Sequence, residues 1–379
     1  MRKKFDMPSS SRESQPGPPP ALVAAILLLL LAALFLGIDR WRNRSRVPAP
    51  PALELARQAD PDAPAVPALR GMGFPTPQPN LFEPGWQQGV QPTASGRPES
   101  GLYGSYRTGA GGLSSFHEGV DIVAVCRDAR GNPTDPAAAV ADGRVAYVNR
   151  VSGNSNYGQY VVLFHPDPVG TAYTLYAHLA SVEPGLAAGQ SVARGARLGT
   201  VGHSSSSPIP VSRAHLHFEV GLLANDRFAP WCSGIGDKNP HGMFNGRNLL
   251  GVDPLAVLAD SRNNPDFSLL AHLRSRPVAF SVVARGRGRL PDYFRRHPSL
   301  WNGAAACKAL VLDCTEGGVP VAGRPATDEE IAKLGRDAGA VLSANEAALG
   351  RNGRHLVVHR NDGWQIGRNG EAWLDLLLY

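Results

Sequence analysis

The chain has 379 residues, of which 43% are hydrophobic and 18% charged, and it carries a formal net charge of +6 at neutral pH. That length allows two folded domains with appendages. The basic balance suits an anionic surface or a solvated basic face, and without an arginine–aromatic pattern it excludes a nucleic-acid reader.

Residues 1–20 form a short tail carrying Arg2, Lys3, Lys4 and Arg12. Residues 21–38 are apolar throughout and approach the length that spans a bilayer. Their length and leucine content favour a retained transmembrane anchor over a signal-peptide core. No small-x-small cleavage site follows at once, and Asp39-Arg40-Trp41-Arg42 comes next. Charge leaves the orientation open, because Arg40, Arg42, Arg44 and Arg46 lie closer to the apolar run than the basic residues before it. Residues 39–98 are rich in proline and poor in periodic apolar positions, and read as an extended tether.

From about residue 99, short β segments separated by glycine-containing turns suggest an antiparallel sheet. His117-Glu118-Gly119-Val120-Asp121 enters one of these strands, since Gly119 and the β-rich run 120–123 argue for loop-into-strand rather than helix. Strand-like runs at 160–164 and 173–176 lead to His178. Farther on, His215, His217 and Glu219 alternate with Leu216, Phe218 and Val220, the pattern of a half-buried strand. Residues two apart on a strand share a face at about 7 Å, a spacing that suits one metal ligand and one neighbour acting on water. Two imidazoles and a carboxylate, with a further histidine beside them, match catalytic zinc centres that keep a fourth position open. Taken singly, each motif is as well explained by polar residues on a sheet. Three histidine-bearing motifs in this order are harder to obtain by chance.

The set resembles the lysostaphin/LytM-type zinc metallopeptidases, cell-wall endopeptidases with a duplicated-hybrid-motif β fold. Tyr103-Gly104-Ser105-Tyr106-Arg107 is similar to that family's glycine-tyrosine-arginine stretch, and the run 116–122 to its first zinc motif. Residues 141–145, 175–179, 189–192, 198–202 and 214–220 resemble its later strands, so the likeness covers roughly 99–222. It implies that His117, Asp121 and His217 ligate Zn2+. It implies further that His178 and His215 are the unligated catalytic histidines, one taking a proton from the attacking water and the other orienting it or stabilising the oxyanion. No HExxH glutamate is available as base. Glu118 and Glu219 are weaker alternatives for that role, with Glu219 better suited to orienting a neighbour. Tyr103 or Tyr106 are candidates for binding the oxyanion. Two loops depart from the family pattern, 125–136 and 203–210, and both are expected to flank the groove.

Residues 228–260 read as an appendage ending in a short helix after Asp253, which closes a metallopeptidase domain of 99–260. Residues 261–379 read as a smaller α+β domain that the resemblance does not explain. Within it, 278–283 is a strand, Thr327-Asp328-Glu329-Glu330 opens a helix running to about Leu349, and 355–366 is a hairpin through Asn361-Asp362-Gly363. His355 and His359 could share a strand face but lack a third metal ligand. Four cysteines in an exported chain favour two disulfides, Cys307 with Cys314 and Cys126 with Cys232, over four unpaired thiols. The expected whole is mainly β: a membrane-tethered zinc endopeptidase in the cell envelope, acting on peptidoglycan outside the cytoplasmic membrane. A non-hydrolytic peptidoglycan-binding or hydrolase-activating module on the same fold is the alternative.

Overall fold

Alternating β-branched and aromatic residues build a seven-stranded antiparallel sheet at the centre of the molecule. Its strands are β1 (Val120–Val123), β2 (Gly143–Asn149), β3 (Gln159–Asp167), β4 (Gly170–Leu179), β5 (Ser191–Val192), β6 (His215–Leu223) and β7 (Leu249–Val252). The order is β7-β6-β4-β3-β2-β5, and β1 pairs with the first half of β6 on the edge that β7 continues. The computed structural model describes residues 68–379 except 109–113, 305–306, 351–352 and 362, and these lie in one compact unit. The apolar run 21–38 expected as an anchor lies outside the described residues. Among the described residues no helix is long and apolar enough to cross a membrane.

Both faces of the sheet are covered. Leu216, Phe218, Val220 and Leu222 join Val161, Leu163 and Tyr176 in the main core. Phe218 packs on Tyr176 with ring centroids 5.3 Å apart, and burial of such a ring contributes on the order of 2 kcal/mol. The opposite face carries Tyr160, Val162, Tyr173, Leu175 and Ala177 under Met243 and Phe244. All nine residues of β6 are therefore buried, and the half-buried strand expected from its alternation is corrected. Its polar positions are inside because each finds a partner: His215 bonds to Arg213 O, and His217 and Glu219 bond to each other.

Residues 68–98 are part of the folded body and not a tether. Leu69, Met72, Leu81 and Val90 are buried. The Ser261 hydroxyl donates to Leu69 O at 2.5 Å and accepts from Met72 N at 2.9 Å.

After β6 come α1 (Phe228–Gly234) and α2 (Pro254–Asn263), the short helix expected after Asp253, which caps it. A second antiparallel sheet follows, with β8 (Phe280–Arg285), β9 (Ala309–Cys314), β10 (Pro320–Pro325) and β11 (Gly339–Ala344) in the order β10-β9-β8-β11. The hairpin of Val357–Arg360 and Gly363–Ile366 forms as expected. The chain ends in α3 (Arg368–Leu378), whose Trp373, Leu374 and Leu377 enter the same core as Leu69 and Phe218. The long helix expected from Thr327 is corrected. Its capping box opens only Asp328–Ala332, after which Gly335 turns at φ +52° and the chain becomes β11. Neither expected disulfide forms, and all four cysteines are free. The extended strand β9 separates Cys307 from Cys314 by roughly 20 Å at about 3.3 Å per residue, where a bridge needs Cα atoms within about 7 Å. Cys126 is exposed, whereas Cys232 is buried in α1.

Candidate metal centre and its histidines

Register brings the site together. Antiparallel pairing of β1 with β6 sets Asp121 directly opposite His217, and pairing of β4 with β6 sets Ala177 on the other side. Directly opposed residues share a face at about 5 Å. His117 folds in over this pair because the turn passes close to β6 at Gly119. A Cβ there would stand 2.5 Å from Phe218 O and 2.9 Å from the His217 ring.

His117, Asp121 and His217 are buried and present one ligand atom each within 4.8 Å of one another. His117 Nε2 lies 3.1 Å from Asp121 Oδ1 and 3.0 Å from His217 Nδ1, which is 3.0 Å from the same Oδ1. Zinc fits this donor set. Three atoms so spaced leave a point about 2 Å from each, the length of Zn–N and Zn–O bonds in a tetrahedral site with one open corner. The outer hydrogen bonds fix the required tautomers. His117 Nδ1–H donates to Leu102 O at 2.9 Å, and His217 Nε2–H donates to Glu219 Oε1 at 2.8 Å, so the lone pairs of the other nitrogens face each other. Arg107 donates to Asp121 Oδ2 at 2.6 Å and turns Oδ1 inward.

Charge is tuned to the same end. Burial lowers His117 to about 4, with Asp121 opposing. Burial also pulls His217 down, but hydrogen bonds to Asp121 and Glu219 outweigh it and raise His217 to about 9. Asp121 lies well below the usual carboxylate range because His117, His215 and Arg107 outweigh its burial. Without a metal the proton on His217 sits against Asp121, and a bound cation would take that proton's place.

His178 and His215 stand beside this triad. His215 Nδ1–H donates to Arg213 O at 2.7 Å, and its Nε2 lies 3.4 Å from Asp121 Oδ1. His178 Nδ1–H donates to Ser204 O at 2.9 Å, and its ring centroid is 4.7 Å from that of His215. Strict alternation would send His178 to the face opposite Ala177. Its backbone avoids this by adopting φ +59°, rare for a residue with a Cβ. The loop 203–210 supports that geometry, since Ser204 also accepts from Gln159 N at 2.9 Å. Burial, with His215 next, holds His178 well below the ordinary imidazole range.

Several expectations are refined here. Glu219 orients a neighbour: fully buried, it accepts from His217, from Tyr157 OH at 2.6 Å and from Tyr173 OH at 2.8 Å. Glu118 faces Arg354 at 3.4 Å, and burial raises it to about 7. Tyr103 is removed from oxyanion duty, since its hydroxyl donates to Gly251 O at 3.0 Å and its ring meets Phe116 edge-on. His355 and His359 are not brought together as ligands: one packs on Tyr106, the other on Trp364. Sequence reasoning missed Arg107, Tyr157, Tyr173 and Ser204 as supports. Only Arg107 left a trace, inside the stretch ahead of the first histidine.

Two histidines and an aspartate that could hold a metal, with two further histidines beside them, form a donor set of the kind found in zinc centres with an open corner. Residues 115–229, which include all five residues, match the family model of Peptidase family M23. A zinc-containing peptidase from Vibrio cholerae is similar at 25% identity over 31% of this chain and 31% of that chain, with a TM-score of 0.25. The catalytic domain of lysostaphin from Staphylococcus simulans is 22% identical over 42% of this chain and 89% of that one, at a TM-score of 0.28. A variant catalytic domain of the prophage-encoded M23 protein EnpA from Enterococcus faecalis is 25% identical over 32% and 76%, at 0.24. The chain spans under a third of the Vibrio peptidase's length. No curated protein matches it.

Proposed function

We propose that the chain is a zinc-dependent endopeptidase that hydrolyses peptide bonds in peptidoglycan stems or cross-bridges. The observation that carries this reading is the convergence of His117, Asp121 and His217 within 4.8 Å, with His178 and His215 anchored beside them through Nδ1. The first three residues would hold the ion. When bound, zinc supplies polarisation of the scissile carbonyl and a lowered pKa for the attacking water.

The chain's own residues do the rest. Carbonyl oxygens can only accept, so Ser204 O and Arg213 O keep the proton of each histidine on Nδ1 and leave both Nε2 lone pairs toward the open side. One Nε2 takes the proton of the attacking water and later delivers it to the leaving amine. The other Nε2 accepts from the second hydrogen of that water and orients it for attack. Arg107 and Glu219 keep Asp121 and His217 in place during this exchange.

On this reading residues 99–260 are the catalytic unit, 261–379 an α+β companion, and the enzyme works in the cell envelope, tethered through 21–38. Digestion of purified wall followed by mass analysis of the fragments tests it. New amino termini at a stem or cross-bridge bond are expected. An intact wall in the presence of zinc, with tight wall binding, would instead support the non-hydrolytic module.

A further inference from the structure

A charged cavity lies away from the metal centre, between β11, the hairpin strand Gly363–Ile366 and α3. Its volume is about 840 Å³, within the range of small-ligand sites of about 300–1,000 Å³. Val341, Ile366 and Leu374 contribute apolar lining, with Trp364 beside them. Charges of both signs line the same space. Lys333, Arg360 and Arg368 contribute cations, while Asp337 and Glu371 contribute carboxylates. Arg287 is neutralised by Asp375 at 2.5 Å, and Arg285 is spent on the carbonyl oxygens of Asp337 and Gly335. Arg360, Arg368, Asp337 and Glu371 form no ion pair among the described residues.

We propose that this cavity binds a zwitterionic peptide that carries free carboxylates and an ammonium group. Opposite charges left unpaired around one space are matched by a ligand that bridges them. A pure polyanion would meet Asp337 and Glu371 with repulsion, whereas a short peptide also has aliphatic side chains for the apolar lining. Naming wall stem peptides as the source of such a ligand rests on the proposed function; the binding itself does not. In the enzyme the cavity acts as a second hold on the wall, remote from the bond being cut.

The test titrates a fluorescein-labelled Ala-Glu-Lys-Ala peptide into the full chain after chelator treatment, following anisotropy and tryptophan emission. Arg360→Glu/Arg368→Glu should weaken binding at least tenfold, and Trp364→Phe should abolish the emission change. His215→Ala should bind as the parent does. Equal affinity in the double variant would overturn the proposal, as would displacement of the peptide by equimolar inorganic phosphate, which would mark a site for simple anions. Circular dichroism and melting confirm that the variants fold, since both arginines are exposed. Zinc-loaded parent protein is assayed separately on wall. Failure there with peptide binding intact would sink the proposed function and leave the cavity's assignment standing.

Discussion

Glu219→Ala removes a single carboxylate that three side chains share. In the native fold it accepts from His217 at 2.8 Å, Tyr157 at 2.6 Å and Tyr173 at 2.8 Å, and it is wholly buried. Stranding a buried donor costs about 1–3 kcal/mol per group, and entry of water into the space left by the side chain offsets part of this. A net loss of roughly 3–5 kcal/mol is expected, comparable to breaking a buried ion pair. Glu219→Gln keeps the shape and one acceptor oxygen, so it should fold and isolate the effect on the metal. Without the carboxylate, His217 is a weaker base and a less firmly oriented ligand, and zinc affinity should fall about 10- to 100-fold. Urea unfolding of the metal-free proteins measures the first quantity, and competition with a chromogenic chelator the second. If Glu219→Gln holds zinc as tightly as the parent, the carboxylate does not position His217 as argued.

His178→Ala and His215→Ala should each retain zinc by elemental analysis yet lose wall hydrolysis by about 10²-fold or more; zinc loss in either would make it a ligand. Asp121→Ala/His217→Ala should bring metal content to background, and unchanged zinc would refute the ligand set. Burial lowers His165 to about 4 and His297 to about 3, so the unfolded chain binds more protons below about 6.5 and stability falls as pH drops from there through the folded values. By pH 5 each contributes a loss of about 2 kcal/mol; urea unfolding should show a shallower acid dependence in His165→Asn, and an identical slope would refute this. Native protein without reductant should label at Cys126, which is exposed, whereas a mass shift on reduction would reinstate a disulfide.

That His117, Asp121 and His217 would converge, with His178 and His215 beside them, was legible in the sequence through the family resemblance of their motifs and the β-forming neighbours of their strands. What holds them was not. Arg107 meets Asp121 from 14 residues away and Tyr157 meets Glu219 from 62 away, and nothing local announces such pairs. The backbone reversal at His178 was hidden as well, since a histidine at φ +59° has no glycine to mark it. Alternation misjudged β6 because buried polar residues look like exposed ones until their partners are known. The capping box at Thr327 gave the start of its helix correctly and nothing about its length, which Gly335 and the β-forming residues after it decide.

The unbroken core has a consequence for modularity. Asn225, just after β6, donates to Leu376 O at 2.7 Å, and Trp231 of α1 donates to Asp375 at 2.7 Å. Arg354 reaches back to Glu118, next to His117, and lies over the Phe116 ring with 5.4 Å to its centroid. A piece excised at residue 260 would carry raw apolar surface where α3 and β8 belong, and one wall beside His117 would be missing. The segment 115–229 therefore shares its core with the C-terminal elements, and insertions or fusions are better tolerated in its polar loops than at residue 260.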